Sequence, residues 1–147
     1  MGRMASVRRK LREALFFYQK LVEANLAHPE SEELEFYLSA FLSAGRSVTG
    51  FFDEKENRTW FEDWKSRLNT ESRKLLKYML RQRNLEVHEE GPDVLLEFET
   101  VTANETPLKV KTYHFWIDSE PSDISDTCTR YLQLLLRLMA DFDEHLS

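Results

Sequence analysis

Apolar residues recur three or four apart over most of the chain, the spacing that places side chains on one face of a helix. From about Ala5 to Ala27 the stripe is Leu11, Leu15, Tyr18, Leu21, Val22 and Leu26, and His28-Pro29 ends it. A second helix is predicted from Ser31 to Phe52, with Glu32 and Glu33 at its positive end and Leu34, Tyr37, Leu38, Phe41, Val48 and Phe52 as its apolar stripe. Ser39, Ser43 and Ser47 form a row at four-residue spacing. That row reads either as a place where a neighbouring helix comes close or as a polar exposed face. A third, shorter helix begins at Asn57 or Thr59 and carries Trp60, Phe61, Trp64 and Leu68. Leu68-Asn69-Thr70-Glu71 reads as a break and a cap, with Thr70 as N-cap. A fourth helix then runs to about Glu89, with Leu75, Leu76, Tyr78, Met79 and Leu80 as its apolar contacts, and Gly91-Pro92 stops it.

The period changes after Pro92. Val94 to Thr100 and Leu108 to Trp116 alternate with period two, and the turn-like stretch Thr102 to Pro107 lies between them. This predicts a β-hairpin. The register that sets Glu99 opposite Lys109, Glu97 opposite Lys111 and Phe98 opposite Val110 pairs opposite charges on one face and apolar residues on the other. A hairpin alone is marginally stable, so its apolar face must pack on a helix or on another chain. The last helix is predicted from about Pro121 to His145, capped by Ser119 or Ser122, with a wide apolar face of Tyr131, Leu132, Leu134, Leu135, Leu138, Met139 and Phe142. The expected fold is mainly α: one domain over residues 1–147, a bundle of about five helices with a hairpin inserted at about 93–117, between the fourth and last helices.

Composition narrows the choices. The chain has 147 residues, four glycines and four prolines, which favours long helices and suffices for a hydrophobic core. Its one cysteine, Cys128, excludes an internal disulfide and reads as a buried core thiol. No apolar run approaches the ~20 residues that span a bilayer, and a cytoplasmic setting is expected. Met1-Gly2-Arg3-Met4-Ala5-Ser6 fits a loose myristoylation pattern, although Met4 also reads as a start. A net charge of −6 argues against non-specific coating of nucleic acid. The charge is uneven, however. Arg3, Arg8, Arg9, Lys10 and Arg12 form one basic stretch and Arg73, Lys74, Lys77, Arg81 and Arg83 a second, so a local anion site is compatible with the global sign.

The candidate chemistry follows that second stretch, in Arg83-Asn84-Leu85-Glu86-Val87-His88. On a helix, Asn84 and His88 stand one turn apart on one face, and the long side chain of Arg83 can swing toward them. Arg offers a permanently charged fork for phosphate oxygens, His moves a proton near neutral pH, and Asn donates and accepts hydrogen bonds. These are the parts needed to cleave RNA without a metal: the ribose 2′-hydroxyl attacks the neighbouring phosphate, a base takes its proton, and the guanidinium stabilises the charge that develops.

Arg83-Asn84 followed by His88, together with Phe41-Leu42-Ser43-Ala44-Gly45-Arg46-Ser47-Val48 on the second helix, resembles the HEPN superfamily (higher eukaryotes and prokaryotes nucleotide-binding domain). The resemblance covers roughly Ala5 to His88 plus the last helix; the hairpin departs from a minimal four-helix HEPN core. It implies a homodimer whose two motifs share one cleft, a metal-independent endoribonuclease of the toxin type, and a nucleotidyltransferase-type antitoxin as partner. Arg83 would stabilise the phosphorane, His88 would transfer protons, and Asn84 would orient the scissile group. One His per chain supplies either the base or the acid, and two-fold symmetry supplies both.

Two other readings of the motif stay open: solvated residues at a helix end, and a catalytically silent adaptor or RNA-binding module using the same dimer face. Glu86, Glu89 and Glu90 would repel an RNA backbone if they faced the cleft and would raise the pKa of His88. Arg46 is a candidate phosphate contact in the same cleft. No cofactor and no metal is expected, since neither His88 with Glu89 or Glu90 nor His114 with a hairpin carboxylate has a recognised ligand spacing. His28 reads as a loop residue, His114 as cross-strand packing, His145 as a complement to the helix dipole, and Trp60, Trp64 and Trp116 as core.

Overall fold

The computed structural model describes residues 2–29, 31–81 and 94–147, with backbone alone at 2, 94–103 and 106–113. Among the described residues there are five helices: α1 (Gly2–Ala27), α2 (Glu32–Phe52), α3 (Arg58–Ser66), α4 (Thr70–Arg81) and α5 (Ile124–Leu146). Three strands, β1 (Val94–Ala103), β2 (Thr106–Ile117) and β3 (Glu120–Asp123), lie between α4 and α5. The predicted mainly helical bundle with a hairpin ahead of the last helix is what forms.

α1 and α2 fold back on each other through residues 28–31 and pack along their length. The buried line of α1 is Val7, Ala14 and Leu21, with Met4, Leu11 and Tyr18 half-buried between them. This seam advances alternately by three and four residues, as helices crossing at a shallow angle require. It differs from the predicted stripe: Leu15 and Leu26 are 40% and 83% exposed. Each stands one position past a smaller seam residue, Ala14 or Asn25, and so lies about 100° around the helix from it. α2 buries Leu34, Leu38, Phe41, Gly45, Val48 and Phe52 in a matching seam. Ser43 and Ser47 are exposed and Ser47 Oγ donates to the Ser43 carbonyl at 3.2 Å, so these two belong to a polar face.

α5 is central, as its wide apolar face predicts, and packs against α1, α2, α4, β2 and β3. Cross-helix hydrogen bonds fix it to α1: the Tyr18 and Thr129 hydroxyls lie 2.5 Å apart, and Asn25 Nδ2 donates to Ser125 Oγ at 2.8 Å. At the other end of α5, Phe142 sits edge-on to Phe51, Phe52 and Trp60. Such pairs contribute roughly 0.5–1.5 kcal/mol beyond burial. Trp64 is buried and its Nε1 donates to Asp141 Oδ2 at 2.8 Å, a core role rather than a stacking platform.

The sheet corrects the predicted register and adds a strand. Ala103 pairs with Thr106, so the turn has only two residues, Asn104 and Glu105, both at positive φ (51° and 65°). Positive φ at both central residues is the turn whose twist matches a hairpin. It sets Glu99 opposite Val110, Glu97 opposite Thr112 and Phe98 opposite Lys111, one residue away from the charge-paired register. Turn geometry fixes the register over charge matching. A second two-residue turn, Asp118-Ser119 (φ 53° and 64°), leads into β3, which pairs with β2. α5 therefore starts at Ile124 rather than Pro121, and its N-cap is Asp123, which accepts from the Asp126 N–H at 2.8 Å. Ser119 and Ser122 lie in the turn and in β3. The sheet is anchored as expected by packing on a helix: Phe115 is fully buried with its ring edge-on to Tyr78 of α4 at 5.8 Å.

Candidate phosphate-binding cleft

Arg83, Asn84 and His88 lie outside the described residues, as does the predicted end of the fourth helix. What the structure does describe is the surface that leads up to them in sequence.

α4 starts where Asn69 Oδ1 accepts from the Ser72 N–H at 2.8 Å, so Asn69 rather than Thr70 caps the helix. Its apolar side buries Leu75, Leu76, Tyr78 and Met79. Arg73, Lys77 and Arg81, all exposed, recur four apart and form one row, because residues i, i+4 and i+8 share a helix face. α3 is held to the core by Phe61 and Trp64. Its Lys65 is bound in place, with Nζ 2.7 Å from Glu62 Oε1 and 4.5 Å from the centre of the Phe61 ring.

Between the two helices is an open cleft of about 540 Å³, lined by the α4 row, Lys65, Glu62 and Ser66, with Leu76 and Leu80 between the charges. A smaller cleft of about 270 Å³ shares Lys65 and Leu80 and is completed by Arg46, Thr49, Gly50, Asp53, Phe61, Met79 and Tyr131. Arg46 is exposed on α2 and so lines a cleft that adjoins the α4 row.

The electrostatics of this surface oppose the sign of the whole chain. Arg46, Lys65, Arg73, Lys77 and Arg81 stand against two carboxylates, Glu62 and Asp53. Glu62 is engaged by Lys65, and Asp53 lies 3.9 Å from the Arg58 guanidinium. Among the described residues most other cations are paired, including Arg8 with Asp143, Arg67 with Asp63, Lys74 with Asp118, Arg130 with Asp126 and Arg137 with Asp141. Among the described residues, Arg73, Lys77 and Arg81 have no carboxylate partner. Unneutralised cations in a concave site raise the local concentration of anions.

At the base of the smaller cleft, burial drives the Tyr131 phenol far above its ordinary range, against a partly offsetting hydrogen bond with Thr49. Tyr131 therefore stays a neutral hydroxyl. Among the described residues the two clefts hold no histidine. They can bind an anion, but the proton transfer must come from elsewhere.

The remaining candidates separate from this site. His28 is exposed in the α1–α2 connection, and His114 is half-buried in β2 opposite Leu95 and Asp123. His145 packs its ring on Trp60 at 5.6 Å. Among the described residues no three His, Cys, Asp or Glu side chains are grouped to hold a metal ion, and no helix is long and apolar enough to cross a membrane. Lys65 is not legible in the sequence as a site residue, because nothing in the local pattern of α3 says that it faces α4; the basic run of α4 itself is. Compared with family models, with curated proteins and with solved structures, the chain matches none.

Proposed function

We propose that the protein is an HEPN-like, metal-independent endoribonuclease that works as a homodimer. The observation that carries the reading is one of sequence: Arg83-Asn84-x-x-x-His88 begins two residues after Arg81, the last cation of the α4 row. Cations suited to phosphate are thus followed in sequence by residues able to cleave a phosphodiester. His88 removes the proton of the ribose 2′-hydroxyl as its oxygen attacks phosphorus, and Arg83 neutralises the phosphorane oxygens. The bond from phosphorus to the 5′-oxygen breaks, and the second protomer's copy of His88 protonates that oxygen. The products are a 2′,3′-cyclic phosphate and a 5′-hydroxyl. Asn84 orients the scissile group, and Arg46, which lines the adjoining cleft, contacts a flanking phosphate. A nucleotidyltransferase-type antitoxin is the partner that the resemblance implies.

The test is cleavage of single-stranded RNA in EDTA by the purified protein, compared with His88→Ala and Arg83→Ala. Each variant is expected to lose on the order of 10²-fold or more in rate. Cleavage that needs an added metal, or that survives both substitutions, rejects the reading.

One observation favours a second reading, a silent helical adaptor. Leu26 and Phe36 are 83% and 65% exposed, apolar side chains available to a protein partner. An adaptor binds a protein partner through these residues and cleaves no RNA.

A further inference from the structure

We infer that the Arg73, Lys77 and Arg81 row, with Lys65 on the other side of the cleft, is a track for the backbone of one RNA strand. The inference rests on the ribonuclease reading for the kind of strand, while its geometry stands on the described cleft.

Three features argue for a strand. First, the row is periodic. Successive cations are four residues apart, about 6 Å along the helix axis, and an extended strand presents one phosphate per nucleotide to such a row. Second, the row is unneutralised among the described residues, whose other cations are mostly paired with carboxylates. An unpaired cation loses no ion pair when it takes a phosphate, so the bound strand keeps the whole gain from counterion release.

Third, the cleft is charged at its edges and apolar between them. Half-buried Leu80 lines the cleft together with the α4 row and Lys65, an apolar surface on which the face of an unstacked base can rest while phosphates meet the cations. At about 540 Å³ the cleft has the size of a small-ligand site. A net charge of −6 opposes broad attachment to an anionic membrane.

The experiment measures binding apart from cleavage. A fluorescein-labelled single-stranded RNA of about 12 nucleotides, within the usual site size of strand binders, is titrated with His88→Ala protein in EDTA across a salt series. Each phosphate contact on a single strand adds about −0.7 to the slope of log K against log salt. Arg73→Gln/Lys77→Gln/Arg81→Gln in the same background is expected to bind more weakly, with a slope shallower by about 2. Arg12→Gln and Lys55→Gln, exposed cations remote in sequence from the row, are expected to leave the slope unchanged. If the triple variant folds poorly by circular dichroism, Lys77→Gln alone should lower the slope by about 0.7. An unchanged slope in the folded triple variant overturns the inference. So does preferential binding to phosphatidylserine vesicles or to a poly-glutamate peptide. RNA binding that depends on the row, in a wild-type protein that cleaves nothing, rejects the nuclease and keeps the track; cleavage that is indifferent to the row does the reverse.

Discussion

Gly45 of α2 and Tyr131 of α5 approach so closely that a Cβ on Gly45 would stand 2.9 Å from both Cε2 and the hydroxyl oxygen of the tyrosine. Tyr131 is buried, and Phe41 meets its ring edge-on at 5.9 Å, so the ring has little room to yield. The absent methyl is what lets α5 lie against α2 beneath the smaller cleft.

Gly45→Ala sets two effects against each other. Helix propensity favours alanine by up to about 1 kcal/mol, while overpacking costs roughly 1–3 kcal/mol. Net destabilisation of about 1 kcal/mol is expected in urea unfolding. Gly50, one turn and a fraction further along the same helix, has nothing within 4 Å of its added Cβ. Gly50→Ala should therefore stabilise by about 0.5–1 kcal/mol. Stabilisation at both positions would show that Tyr131 yields freely.

The two-residue turns are expected to respond to glycine. Glu105 (φ 65°) and Ser119 (φ 64°) each hold a left-handed backbone that an L side chain resists by about 1–2 kcal/mol. Glu105→Gly puts a glycine directly after Asn104, and Asn followed by Gly is the strongest pair for this turn. The substitution should raise stability by about 1 kcal/mol and slow amide exchange in β1 and β2. Faster exchange there would contradict the two-residue turn and with it the register.

Cys128 and Tyr131 make stability fall at alkaline pH. Burial raises both groups in the folded state, for Cys128 with a further contribution from Asp123. In the unfolded chain they lose their protons near their ordinary values, about 9 for the thiol and about 10 for the phenol. The folded state then binds more protons than the unfolded one. Stability is thus fully present below pH 9 and declines above it, by up to about 1.4 kcal/mol per pH unit for each group. Cys128→Ala should flatten the decline between about pH 9 and 10 and roughly halve its slope above that. In the native protein at about pH 8 the thiol should resist alkylating reagents. Rapid labelling without unfolding would show that Cys128 is not buried.

The helices are readable because burying a face imposes a period, and that period survives in the choice of residues at each turn. What the period does not encode is which of two neighbouring positions is small. Ala14 and Asn25 take seam places for which the larger Leu15 and Leu26 are the stronger candidates by pattern. Cap positions shift by one to four residues for a related reason: Asn69 and Thr70, like Ser122 and Asp123, are adjacent residues of similar capping ability, and only backbone geometry selects between them. The register differs by one because two residues of positive φ, neither of them glycine, close the hairpin where the sequence allows a looser turn. Of the candidate site, the α4 cations and Arg46 are legible, and their meeting with Lys65 is a matter of tertiary packing.

If Arg83 and His88 break RNA by attack of its own 2′-hydroxyl, the product ends carry the proof. They can be identified after incubation in EDTA with an RNA strand and with its all-deoxy counterpart. The expected outcome is 2′,3′-cyclic phosphate and 5′-hydroxyl ends from the RNA, an intact deoxy strand, and no product with His88→Ala. Cutting of the deoxy strand, 5′-phosphate ends, or products undiminished by His88→Ala would rule this chemistry out.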